Sequence, residues 1–175
     1  MDKAERYEKY RGMRGDRQMA MLPLERDALR RFVQAIMDDD PTYHDDEHAR
    51  SSKFSGLVAP PLYPVHAFRR APATPDPLDA LSRDRNADGT ADNLGVAFGL
   101  PPVESPYKRL LNGGNEIEFF RCLRLGERAV ARPKYLNVTL KQGKDGPLLL
   151  VIVETYFTTE TDEPLLINRQ TLIWR

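Results

Sequence analysis

The chain has 175 residues with 26 Lys and Arg against 26 Asp and Glu, a length that suits one well-buried domain rather than two. Its basic residues are dispersed among acids instead of gathered into a stripe, which argues against a nucleic-acid partner. A single cysteine, a charged start without a signal-peptide core, and no apolar run near the ~20 residues that span a bilayer lead to the expectation of a soluble, cytoplasmic protein with no membrane role.

Residues 1–22 are charged and weakly periodic and read as an N-terminal arm that becomes ordered only against the body or a partner. The single domain is expected over 23–175. From Pro23 the pattern turns helical. Pro23 suits a first turn, Glu25 and Asp27 favour the positive helix end, and Leu29, Phe32, Val33 and Ile36 repeat at three and four residues.

The segment after this helix, Asp38-Asp39-Asp40-Pro41-Thr42-Tyr43-His44-Asp45-Asp46-Glu47-His48, concentrates carboxylates and imidazoles. Aspartates at a helix C-terminus oppose its partial negative charge and cost a few tenths to about 1 kcal/mol. Pro41 ends the helix and predicts an extended Asp40 in a solvated turn. The run from Ser55 to Phe68 is apolar almost all round, closes on Arg69 and Arg70, and predicts a buried helix.

Residues 71–107 form a long connection rich in Pro, Asp and Gly, of the kind that shapes or covers a site. Strands are predicted at Asn115–Leu123, Arg128–Lys141, Pro147–Thr159 and Leu165–Trp174 from their β-branched and aromatic content. Short turn sequences separate them, so they read as one antiparallel meander with neighbours consecutive in sequence. One face of such a sheet needs a cover, for which the helix near Pro60–Phe68 is the candidate. An edge strand left unpaired makes pairing with a second chain expected.

Several local motifs have ordinary explanations. Asp84 to Asp92 matches the first positions of a calcium loop, but Gly95 stands where the bidentate glutamate belongs, so an Asx-turn-rich loop is the better reading. His44 and His48 lack a third close ligand, and no metal site is expected. His66 reads as a hydrogen-bonded core histidine and Cys122 as a small core residue. Arg69, Arg70 and Arg169 could meet phosphates, although single arginines more often form surface ion pairs.

The order Phe32 through Asp38, Pro41, Tyr43 and Asp45, then Phe54-Ser-Gly56-Leu-Val58-Ala-Pro60-Pro61, resembles the N-terminal dehydratase domains of the MaoC-like hot-dog superfamily, the FAS1-like group. Arg109 through Phe119, Leu125-Gly126-Glu127 and Gly146-Pro147-Leu148 resemble the same group. The resemblance implies an α+β hot-dog fold, a central helix wrapped by an antiparallel β-sheet. It also implies (R)-specific hydration of enoyl thioesters, with a coenzyme A thioester as substrate and no cofactor.

Competent members resemble Gly-Asp-x-Asn-Pro-x-His in the segment after the first helix, where aspartate and histidine handle one water beside the double bond. Asp38 falls on the aspartate, Met37 on the glycine, Asp40 on the asparagine and Pro41 on the proline, but Tyr43 falls on the histidine. A neutral tyrosine is a poor base. His44 is one residue away. Where these members offer an amide N–H to the thioester oxygen, this chain has Pro61, which has none. The resemblance therefore implies the non-catalytic, acyl-binding half of a hydratase or dehydratase, paired with a hot-dog subunit that carries the intact motif.

Asp38, Tyr43 and His44 are the candidate catalytic positions, and Gly56, Leu57, Val58, Ala59 and Pro60 the candidate substrate-binding ones along an acyl tunnel. Two alternatives remain open. One is a self-sufficient homodimeric enoyl-CoA hydratase using Asp38 and His44. The other is a non-enzymatic acyl-CoA or lipid-binding module.

Overall fold

Four long β-branched segments build the sheet of the computed structural model, which describes residues 5–68, 73–75, 79, 82–83, 99–107, 109–144 and 146–175. In chain order the elements are helix α1 (Glu5–Glu8), strand β1 (Gln18–Met19), helix α2 (Arg26–Ile36), a 3₁₀ turn (Pro41–Tyr43), and helices α3 (Asp46–Ser51) and α4 (Tyr63–His66). Strands β2 (Leu110–Phe119), β3 (Ala129–Gly143), β4 (Gly146–Thr159) and β5 (Pro164–Trp174) follow. All pair antiparallel in the order β1-β3-β4-β5-β2. This is the α+β hot-dog arrangement.

The expected meander holds for β3, β4 and β5, but β2 pairs with β5 instead of β3. The reason lies after Phe119, where the chain leaves the sheet and pairs with the segment before α4. Ala59 N–H donates to the Leu123 carbonyl at 2.8 Å and Leu125 N–H to the Leu57 carbonyl at 3.4 Å. Leu57 to Pro60 are therefore extended, and the helix expected from this run shrinks to the single turn of α4. Consecutive Pro60 and Pro61 explain it, since each biases the preceding residue away from helix and removes a donor.

Alternate residues of β4 (Leu149, Val151, Val153, Thr155, Phe157) face the covered side of the sheet and are buried. A bulge in β3 between Tyr135 and Asn137 shifts the register so that Tyr135 and Val138 face the same side. Two apolar clusters fill this side. One joins Leu29 and Val33 of α2 with Leu57, Ala59, Tyr63, Leu123 and Phe157. The other joins Val138, Leu149, Val151 and Trp174 with Tyr7 and Tyr10 of the N-terminal arm.

The arm packs on the body of the protein itself. Its backbone runs along the outer edge of β3, with Gly12 N–H to the Tyr135 carbonyl at 2.8 Å, Tyr135 N–H to Met13 at 2.9 Å and Gly15 N–H to Pro133 at 3.0 Å. The outer side of β2 pairs with no described strand. No helix among the described residues is long and apolar enough to cross a membrane.

Candidate active site

Helix α2 starts at Arg26, three residues beyond Pro23, and buries Leu29 and Val33 while leaving Ile36 exposed. It ends at Met37 in the left-handed conformation (φ 55°), whose N–H bonds back to the Gln34 and Val33 carbonyls. Glycine is the usual residue for such a helix end, because a Cβ crowds the following carbonyl there. The acidic run that follows is largely a set of caps. Asp38 Oδ1 accepts from Asp40 N–H at 3.1 Å, and Asp40 Oδ1 from Thr42 N–H at 2.9 Å. Asp45 Oδ1 accepts from Glu47 N–H at 2.9 Å and His48 N–H at 3.0 Å, which starts α3.

Hydrogen bonds from the Thr42 hydroxyl and amide hold the Asp40 carboxyl below its ordinary range, and the His48 and Glu47 amides do the same for Asp45. Asp46 pairs with Arg26 through two contacts of 2.6 and 2.8 Å. Asp40 is extended (φ −62°, ψ 118°), as expected of the residue before Pro41, and the turn that follows is a 3₁₀ turn with Pro41 at its first position and Asp40 as its cap.

This turn separates the three candidate catalytic side chains. Tyr43 is half-buried against the α2 cluster. Burial first, and then Cys122 and the charges of Asp38 and Asp40, push its phenol above its ordinary pKa. Asp38 is half-buried as well. His44, next along the turn, is exposed, and its Nε2 lies 3.3 Å from the Asp39 carbonyl oxygen. The structure thus brings Asp38 and Tyr43 into one electrostatic neighbourhood and leaves His44 facing solvent. A phenol held neutral cannot take a proton from water at neutral pH.

Leu57, Val58, Ala59 and Pro60 are buried in the core, with Gly56 half-buried before them. Their packing follows from pairing with residues 123–125. A cavity of about 220 Å³ lies beside α4, lined by Leu62, Val65 and His66 of the turn and by Asn115, Ile117, Asn168 and Gln170 of β2 and β5. His66 is exposed at its rim and stacks on Phe32 at 5.3 Å, so it is not the core histidine expected from a fully buried helix. The one-turn length of α4 accounts for the difference.

Sequence reasoning missed Asn115, Asn168 and Gln170. The signal was present, since Leu166, Asn168, Gln170, Leu172 and Trp174 alternate on the covered face and the two amides interrupt an apolar row. Arg169, on the opposite face, bonds Glu154 at 2.7 Å, Glu116 at 3.1 Å and Glu118 at 3.4 Å, an ion-pair network rather than a phosphate site. Cys122 is a buried free thiol. The calcium-loop pattern and Arg69 and Arg70 lie outside the described residues.

Comparisons with known proteins place this geometry. The family model of the FAS1-like dehydratase domain region matches residues 17–168. A UPF0336 protein of Saccharopolyspora erythraea is 24% identical over 150 residues, covering 86% of this chain and 80% of that protein. The fold superposes with TM-score 0.68 and 18% identity on the ChsH1-ChsH2 complex of Mycobacterium tuberculosis, covering 92% of this chain and 83% of that one. HadBC, the 3R-hydroxyacyl-ACP dehydratase complex of the same organism, gives TM-score 0.59 and 18% identity over 94% and 96% of the two chains. The chain belongs to the FAS1-like dehydratase domain region family.

Proposed function

We propose that this chain is the acyl-binding, non-catalytic half of an (R)-specific enoyl-thioester hydratase or dehydratase, and that a second hot-dog subunit supplies the complete Asp and His pair. The observation that carries this reading is Tyr43, half-buried and held neutral at the position where the family motif places its histidine. Pro61 adds to it, because it offers no N–H to a developing oxyanion. The substrate is a coenzyme A thioester, and the reaction needs no metal or redox cofactor.

The partner pairs along β2. That strand's outer side pairs with no described strand and exposes Leu111 and Phe119, a combination that favours strand addition. Two of the structural relatives, ChsH1-ChsH2 and HadBC, are complexes, which supports a partner subunit.

The test is hydration of crotonyl-CoA by the purified chain, followed by loss of the conjugated thioester absorbance, beside direct binding of the same compound. Binding without turnover, and turnover after addition of a hot-dog partner with an intact motif, is the expected result. Turnover by the chain alone that disappears in Asp38→Asn would instead mean a self-sufficient homodimer, with His44 as base. Binding without turnover even beside the partner would leave a non-enzymatic acyl-CoA module.

A further inference from the structure

The face of the sheet turned away from α2 carries a groove of about 540 Å³ that runs from the N-terminal arm across β3 and β4 to β5. Strand pairing sets its floor. Arg132 lies opposite Tyr156 and Tyr156 opposite Ile167, while Lys134 lies opposite Glu154. The alternate residues Tyr135, Thr155 and Phe157 are buried on the covered face, so this row points outward. Arg14 of the arm bridges Lys134, and directly opposed residues of antiparallel strands share a face, so Arg14 joins the row. Arg17 and Phe120 complete the walls.

Four cations meet one carboxylate in this lining. Two of the cations are already engaged. Lys134 Nζ lies 2.6 Å from Glu154, and Arg132 donates to the Thr158 hydroxyl and the Asp162 carboxylate. Glu154 is itself shared, since Arg169 also holds it at 2.7 Å. The side chains of Arg14 and Arg17 have no ion pair among the described residues. Beside them Tyr156 is 36% exposed and Phe120 45%. Neither feature adds to the fold, because unpaired surface cations gain no pairing energy and an exposed ring forgoes most of its burial.

Guanidinium groups match phosphate oxygens two by two, and exposed aromatic rings stack flat bases. The volume lies in the range of about 300–1,000 Å³ typical of small-molecule sites. An inorganic anion would leave the aromatic floor uncovered, and an uncharged ring would leave both arginines unpaired. We propose that this groove binds a nucleoside diphosphate, with its phosphates on Arg14 and Arg17 and its base on the floor of Tyr156, Phe120 and Ile167. The site lies across the sheet from Tyr43 and the cavity beside α4, and it does not rest on the thioester reading.

Calorimetry of the full chain with ADP, adenosine and pyrophosphate tests the proposal, and amide NMR locates the site. ADP should bind once per chain, about tenfold tighter than either fragment, and should shift the amides of Arg14, Arg132, Tyr156 and Ile167. Arg14 and Arg17 are exposed, so the double variant Arg14→Gln, Arg17→Gln keeps the fold. It should weaken ADP by about tenfold or more, the scale of a charged hydrogen bond lost. Tyr156→Leu should weaken ADP and leave pyrophosphate unchanged. Arg31→Gln removes a charge from α2, across the sheet, and should change neither. Crotonyl-pantetheine, a thioester without a nucleotide, should leave ADP bound, and its own binding bears on the thioester reading alone.

Absence of ADP binding, pyrophosphate bound as tightly as ADP, or full affinity in the double arginine variant would each overturn the proposal. So would an equal loss in Arg31→Gln, which would reduce the effect to net charge, or displacement of ADP by crotonyl-pantetheine, which would put ADP in the acyl site.

Discussion

The two edges of the sheet are finished in opposite ways. Along β3 the N-terminal arm supplies backbone partners from Gly12 to Ala20, and Tyr7 and Tyr10 fold over the end of the sheet. Along β2 the outer backbone meets no described strand, and a bulge between Asn112 and Asn115 with Gly114 at φ 104° breaks its regularity. At the sealed edge the Tyr135 hydroxyl donates to the Pro101 carbonyl at 2.7 Å and the Tyr10 hydroxyl accepts from Glu104 N–H at 3.0 Å, while Arg128 Nε is buried without a partner. The open side has the unpaired Asn168 oxygen, the cavity and the exposed apolar residues Leu62, Leu111 and Phe119. The contrast is one of backbone pairing: the arm completes the β3 edge, and no described strand completes the β2 edge, where the proposed partner would add.

Breaking the sealed side should have the largest effect. Tyr10 is buried and meets Tyr135 edge-on at 6.0 Å. Tyr10→Ala is expected to cost about 3–5 kcal/mol, the range for emptying a buried aromatic site. Urea denaturation measures it, and a loss under about 1 kcal/mol would mean that the arm is dispensable packing. The matching change on the open side is the double substitution Leu111→Lys and Phe119→Lys. Both residues are exposed, so unfolding of the isolated chain should change by no more than about 0.5 kcal/mol per site. Association with a hot-dog partner should be lost, as read by sedimentation. Unchanged association would place the partner elsewhere.

Strands β3, β4 and β5 were legible in their period of two and β-branching, whereas the first of the four, expected at Asn115–Leu123, runs over Leu110–Phe119. The order of the strands was not legible. Nothing local tells β2 to join β5, since that depends on residues 123–125 being taken by Leu57–Ala59. The arm was read as ordered only against the body or a partner, but which residues anchor it was not legible: Tyr7 and Tyr10 stand among charges, and only the Tyr135 and Trp174 surface makes them core. In the candidate site, Tyr43 in place of a histidine and Pro61 in place of a donor could be read from the motif. The cavity beside α4 could not, because β2 and β5 line it together only through the strand order.

Met37, at the C-terminal end of α2, offers a smaller change. It is 89% exposed and left-handed at φ 55°, so its side chain contributes little packing while its Cβ is strained. Met37→Gly is expected to stabilise by up to about 1 kcal/mol, with the relief of the helix end set against added freedom in the unfolded chain. Thermal unfolding decides the sign. A clear destabilisation would show that the Met37 side chain adds more to stability than its left-handed backbone costs.

At working pH the smallest effects come from titration, and they carry opposite signs on the two sides. Burial, and then the Tyr10 phenol, push the Tyr135 pKa up to about 12, and burial also raises Tyr7. A raised phenol favours the neutral form in the fold, so its contribution is intact below the ordinary value of 10.0 and is lost as pH rises through the folded value. Asp40 and Asp45 have lowered values, so their caps contribute above the ordinary 3.8 and fail as pH falls through the folded value. NMR should therefore show the Thr42 and His48 amides moving first in acid and the Tyr135 ring moving first in base. If both sides loosened together at one extreme, the two edges would belong to a single cooperative unit.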